Sequence, residues 1–152
     1  MAEILKAPSK LNNWGIGAAI LVILDSGYLS WIKLTKSVEQ CLPGLGDCAT
    51  VNSSKYAEIY GIPVAYLGLI AYITILLLLV SKTPILIRHG INKYLLFGVT
   101  FAGFLFSVYL TFVQFWLIKA FCPYCLLSAF ITTLLFILAI IMLSKEIHIV
   151  EE

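Results

Sequence analysis

Residues 94–143 read YLLFGVTFAGFLFSVYLTFVQFWLIKAFCPYCLLSAFITTLLFILAIIML, and Lys119 is the only charged side chain among them. Crossing the hydrocarbon of a bilayer takes about 20 apolar residues. The stretch is therefore long enough for two spans, broken at Cys122-Pro123-Tyr124-Cys125. Pro123 accounts for the break, because proline ends an incoming helix and suits the first turn of the next. Cys125 then falls in the first turn of the second span. Unpaired N–H groups and the positive end of the helix dipole favour a thiolate there, while the apolar setting opposes it.

Two further segments qualify as spans. Ile62–Val80 holds no charged residue, and Trp14–Ile32 holds only Asp25. With 61% hydrophobic and 12% charged residues and a mean hydropathy of +1.01, the chain lacks the polar covering of a soluble domain of its size. The expected fold is all-α and integral to the membrane: a bundle of four transmembrane helices at 14–32, 62–80, 94–118 and 126–143. One such domain occupies essentially residues 1–152. Lys6 and Lys10 precede the first apolar run, but no A-x-A-like cleavage site follows, so it reads as a retained helix. The net charge of +2 and the absence of a basic cluster speak against nucleic acid as a partner.

Lys6, Lys10, Lys82, Arg88, Lys93 and Lys145 fall on one side of this topology, and Lys33, Lys36, Lys55 and Lys119 on the other. By the positive-inside rule both termini are expected in the cytoplasm and the protein in the cell membrane. Lys33, Lys36 and Lys119 sit where they can snorkel from helix ends. Trp14, Trp31 and Trp116 suit interfacial aromatic belts.

With four spans, the first and third loops emerge on one face. Cys41 and Cys48 occupy the first loop, Cys122 and Cys125 the third, and the sequence has no other cysteine. On the charge bias that face is extracytoplasmic, where disulfides persist. A CxxC at a helix N-terminus points to a redox-active dithiol. Structural zinc would need four thiolates or imidazoles closing one tetrahedron, and His89 and His148 fall on the opposite side, so no metal site is expected. Cys41 and Cys48 enclose Leu-Pro-Gly-Leu-Gly-Asp, rich in turn residues. A static staple is one reading of that pair. The other is a mobile relay, with Cys41 meeting an external dithiol and Cys48 exchanging with Cys122. A structural membrane protein with two static disulfides is thus the alternative to an oxidoreductase. Ser26-Gly27-Tyr28-Leu29-Ser30 echoes Ser107-Val108-Tyr109-Leu110-Thr111, with each tyrosine thirteen residues ahead of Cys41 or Cys122.

Between Ala49 and Tyr60 the pattern Val51, Tyr56, Ile59, Tyr60 suggests one side of a short helix lying in the interface, with Ser53 or Ser54 as its cap. Asp25, the only charge inside a span, should face the bundle interior or water. It can relay a proton or bind a polar ligand, or simply stay neutral and bonded to Ser26 or Ser107. Tyr and Phe residues of the third and fourth spans are expected to pack the bundle. No haem-type histidine pair, Gly-rich nucleotide loop or iron–sulfur spacing is present, so the terminal electron acceptor is expected to be a lipid-soluble two-electron carrier, a quinone, held between helices.

Several features together resemble the vitamin K epoxide reductase (VKOR) family in its prokaryotic, single-domain form. They are a loop cysteine pair first, Cys48 followed by Ser53-Ser54-Lys55-Tyr56, then Gly61-Ile62-Pro63, and the CxxC opening the fourth helix. The resemblance covers Trp14 to Leu143. The other four-helix disulfide oxidase family carries its pairs in the opposite order. The resemblance implies a four-helix bundle around a quinone of the menaquinone, ubiquinone or phylloquinone type. It implies that Cys41 meets a thioredoxin-like or DsbA-like partner, that Cys48 and Cys122 form the inter-pair disulfide, and that Cys125 attacks the quinone. Ser54 matches a serine that steadies the region, and no fused thioredoxin-like domain is expected, so the partner is expected to be a separate protein. Eukaryotic members have a tyrosine where this chain has Ala129, and an asparagine in the second helix where Ile62–Ser81 has none. Oxidation of protein dithiols is therefore implied, rather than epoxide reduction.

Overall fold

The computed structural model describes residues 9–35, 44, 46–80 and 91–150. Helix α1 covers Ser9–Thr35 and a short helix, α2, covers Cys48–Ser53. A 3-10 turn at Lys55–Ala57 leads into strands β1 (Glu58–Ile59) and β2 (Ile62–Pro63), which pair antiparallel. Helix α3 follows at Val64–Val80. Helix α4 runs over Ile91–Phe112 and continues as a π-helical turn through Val113–Ile118; α5 covers Pro123–Val150. Cys41 and the segment 81–90 lie outside the described residues.

Among the described residues, three helices, Lys10–Thr35, Ile91–Ile118 and Pro123–Lys145, are long and apolar enough to cross a membrane. Helix α3 carries no charged residue at all but has 17 residues. That length spans about 25 Å, at the short end of what crosses a bilayer. Helix α1 packs chiefly on α3, and α4 on α5. The shared core draws Ala19 and Val22 from α1, Tyr72, Ile75 and Leu79 from α3, Leu96 from α4, and Ile131, Leu135, Ala139 and Met142 from α5. Phe97, Phe101 and Phe104 of α4 gather around Phe136 of α5 at centroid distances of 5.1–5.7 Å. These aromatics pack the bundle, as the sequence suggests.

The outer faces are as apolar as the core. Leu24, Leu105, Phe130, Trp14, Trp31 and Trp116 are all exposed. Helices hydrophobic all round belong in lipid or in the core of a large protein, and an exposed apolar surface of this extent is foreign to a soluble monomer. The chain is a multi-pass membrane protein.

The loop between α1 and α3 departs from expectation. Its helix is shorter and starts earlier than an Ala49–Tyr60 element, and its N-cap is Asp47 rather than Ser53 or Ser54. Asp47 accepts the Thr50 N–H at 3.0 Å and the Thr50 hydroxyl as well. Ser54 is instead the C-cap, with both its N–H and its hydroxyl on the Val51 carbonyl. Tyr60 and Gly61 then adopt positive φ (52° and 78°) between the two strands, so helix cannot continue and Tyr60 is left fully exposed. An apolar spacing fitting a helical face could not reveal the break, because the break is made by the extended backbone at Ser54.

Candidate redox site

Cys122 is the residue from which helix α5 starts. Its carbonyl accepts the Leu126 N–H at 3.1 Å, and its sulfur accepts the Cys125 N–H at 3.4 Å. Cys122 thus caps the helix with its own sulfur, and Cys125 sits in the first turn as expected. The N–H and the helix dipole act on Cys122 Sγ, where they favour negative charge. The first-turn position of Cys125 points to that thiol, but the sulfur that receives the N–H is Cys122. The side chain of Tyr124, inside the motif, packs on Tyr28 of α1 with ring centroids 5.7 Å apart.

The turn before the motif is held by Gln114. Its backbone carbonyl accepts the Lys119 and Ala120 N–H groups, with Lys119 in the left-handed conformation at φ 55°. Its side-chain oxygen accepts the Cys122 N–H at 3.1 Å. That N–H is otherwise sealed from water, because Cys122 is wholly buried.

The first loop lies directly on this turn. The Asp47 N–H donates to the Phe121 carbonyl at 3.0 Å. Gly46 makes the approach possible: its φ is +99°, and a Cβ built there would lie 2.5 Å from Phe121 O. Asp47 then caps α2 and delivers Cys48 into the first helical position. The consequence is a buried cluster of Cys48, Val51 and Cys122, with Cys125 packed against it. Cys48 is 1% exposed and Cys122 0%, and Cys48 is disulfide-bonded. The two loop hydrogen bonds from Thr50 hold the Asp47 carboxyl below its ordinary value of 3.8.

Lys33 at the end of α1 secures the far side of the loop. Its ammonium donates to the Asn52 carbonyl at 2.8 Å and pairs with Glu58 at 3.1 Å. Lys33 therefore does more than snorkel. The ion pair is part-exposed and worth at most about 1 kcal/mol.

Beneath the cysteine cluster lies a cavity of about 540 Å³. Cys125 opens onto it, Ser54 and Val51 roof it, and α3, α4 and α5 wall it with mostly apolar side chains. Its size and its sparse polar groups are those of a site for an apolar small molecule. Of its polar groups, Ser26, Ser54, Tyr56 and Ser107 are ones the sequence points to, whereas Asn52, Tyr72, Gln114, Ser128 and Thr132 are not. Ala129 lines it too. Thr132 gives its hydroxyl proton to the Ser128 carbonyl at 2.7 Å, so Tyr72 must be the donor in its 2.8 Å bond to Thr132. Three of these were within reach of spacing alone, since Cys125, Ser128, Ala129 and Thr132 stand at i, i+3, i+4 and i+7 on one helical face.

Asp25 is bonded neither to Ser26 nor to Ser107. The Ser128 hydroxyl donates to its carboxyl at 2.7 Å, while Ser26 turns back to its own helix at Val22 O. Asp25 meets the cavity only through Ser128, one turn below Cys125.

A helical membrane protein with buried cysteines from two loops stacked above an apolar cavity is the class that fold and site define. Residues 13–140 match the model of the vitamin K epoxide reductase family, and the chain belongs to that family. It is 33% identical over 123 residues to thiol-disulfide oxidoreductase LTO1 of Arabidopsis thaliana, a match covering 78% of this chain. The chain spans about a third (33%) of that relative's length.

Proposed function

We propose that this protein is a membrane thiol–disulfide oxidoreductase that oxidises the dithiol of a thioredoxin-like partner and passes the electrons to a quinone. The observation that carries the reading is the burial of Cys48 with Cys122 directly above a cavity onto which Cys125 opens. Membership of the vitamin K epoxide reductase family and the name of the Arabidopsis relative support it. In this reading α3 is a fourth span, completing the bundle. The charge bias puts both termini in the cytoplasm and the cysteines on the outer face, and α2 lies in the interface as a lid on the bundle mouth.

The relay has two stages. The partner dithiol reduces the loop pair, with Cys41 as the residue it meets and as the disulfide partner of Cys48. A Cys48 thiolate then attacks Cys122 Sγ in an oxidised Cys122–Cys125 pair. The leaving sulfur is Cys125, released where it faces the cavity. Cys41 displaces Cys122 from the mixed disulfide, and the CxxC is left as a dithiol. Helix α5 assists, because the Cys125 N–H and the dipole stabilise negative charge on Cys122 as that sulfur leaves.

The cavity fits a quinone by its apolar walls, its few hydrogen-bonding groups and its contact with Cys125. A bound quinone would supply the two-electron acceptor. Ser54 holds the roof, and Asp25 acts on the site through Ser128. Reoxidation of the CxxC gives up two electrons and two protons as its S–S bond forms. Anaerobic quinone reduction driven by a reduced thioredoxin-like protein tests the scheme. Turnover by the native chain, lost in each of the four single-cysteine variants, is the expected result; turnover unchanged in Cys122→Ala would overturn it. Thiol trapping that finds two static disulfides and no mixed Cys48–Cys122 species would instead mark a structural protein.

A further inference from the structure

Gln114 is 3% exposed, lies in a π-helical turn and lines the cavity that Cys125 faces. Its amide orientation follows from chemistry. A backbone N–H can only donate, so the group facing the Cys122 N–H at 3.1 Å is the side-chain oxygen. The NH2 half of the amide is turned to the other side. Among the described residues no acceptor takes its two hydrogens. Gln114 is buried as a residue, but its NH2 is not one of the fully sealed unpaired atoms, which among the described residues are Ser30 Oγ and Asn92 Oδ1. The setting of that NH2, in a mostly apolar wall beside a redox cysteine, is where a ligand carbonyl would complete it. The π turn is also a frequent accompaniment of functional sites.

We propose that the Gln114 NH2 donates to the quinone carbonyl nearest Cys125, while the amide oxygen of the same side chain holds the backbone of Cys122. The inference rests on the quinone reading above and adds to it the residue that orients the acceptor. One amide then sets both sides of the electron transfer. The dithiol loses two electrons and two protons as the Cys122–Cys125 bond forms, and the quinone oxygens receive both, giving the hydroquinone. A donor already fixed in place favours the negative charge that gathers on that oxygen. The π turn has a role here, because it places Gln114 where both halves of the amide are used.

The test uses the oxidised full chain in detergent, with 2,3-dimethyl-1,4-naphthoquinone as the probe. Saturable quenching of tryptophan fluorescence measures binding. The sequence contains only two glutamines, Gln40 and Gln114, so side-chain 15N-labelled glutamine gives two NH2 signals, assigned with Gln40→Ala. The expected result is a downfield shift of one Gln114 amide proton as the probe saturates, with Gln40 unmoved. In Gln114→Met, the infrared carbonyl stretch of the 13C-labelled probe should move back toward its frequency in detergent, and affinity should fall about tenfold, the loss of one hydrogen bond. A purely structural Gln114 would leave the probe's carbonyl frequency untouched in Gln114→Met. That outcome, or an unmoved Gln114 signal in the saturated native chain, overturns the inference alone. The native signal needs no variant that folds. Absence of saturable binding by the native chain overturns the quinone reading and this inference together.

Discussion

Replacing Gly46 with alanine should uncouple the two cysteine pairs without touching a cysteine. Two effects act at that position. A side chain at φ +99° is strained by about 1–2 kcal/mol, the cost of left-handed backbone for an L-residue. The new Cβ would also lie 2.5 Å from Phe121 O, so the loop must lift, breaking the Asp47 N–H to Phe121 O bond of 3.0 Å. Losing that bond costs about 1 kcal/mol more, and displaced packing at Cys48 adds up to about 1 kcal/mol. The total of about 2–4 kcal/mol lowers the population of the docked loop by roughly 30- to 1,000-fold. Exchange from Cys48 to Cys122 should slow in proportion. Rapid-mixing electron transfer from a reduced thioredoxin-like protein measures that step. A small membrane-permeant dithiol, which reduces the CxxC directly, should still drive quinone reduction at close to the native rate. Gly44→Ala is the control: Gly44 has φ +82° but nothing within 4 Å of its Cβ position, so it carries strain without the clash and should lose less. Native exchange rates in Gly46→Ala would refute the claim that this backbone contact docks the relay.

Cys41→Ala should spare quinone reduction driven by a small dithiol and impair oxidation of a protein dithiol; equal loss with both donors would remove its shuttle role. Tyr72→Phe deletes the donor to Thr132 and should lower stability in detergent by about 0.6 kcal/mol, with about 1.7 kcal/mol as the upper end for such bonds between membrane helices. A double-mutant cycle with Thr132→Val reads that coupling, and a coupling of zero would contradict the bond. The Asp47 carboxyl is held below 3.8 by Thr50. Its capping contribution is therefore fully present above about pH 3.8 and is lost as pH falls through the lowered value. Hydrogen exchange at the Thr50 amide should accelerate over that acid range in the native chain, and Asp47→Ala should show the fast rate at every pH. Ser128→Ala leaves Asp25 without its hydroxyl donor and should weaken binding of a naphthoquinone probe; unchanged binding and turnover would confine Asp25 to a structural role.

Composition and spacing were enough to read several features of this protein. Charge-free runs of span length mark the helices, because hydrocarbon excludes unpaired polar groups whatever the neighbours are. Pro123 marks the start of α5, because proline fixes its own φ and lacks an N–H. The cysteine spacing and the order of the pairs point to the vitamin K epoxide reductase family, which the match over residues 13–140 bears out. Other features are properties of contact, and only the folded chain decided them. Ser128, 103 residues from Asp25, proved to be its partner, since helix rotation about α1 and α5 chooses which hydroxyl arrives. The sulfur favoured by the α5 N-terminus is that of Cys122, because one backbone N–H points at it. Nothing in the sequence sets Gln114 apart; a π turn places it against the CxxC backbone and the cavity together. Gly46 is one of several turn residues along the chain, and only the fold puts Phe121 O where its side chain would be. Local chemistry is written along the chain, but which groups meet is settled by packing, and the proposed relay depends on which groups meet.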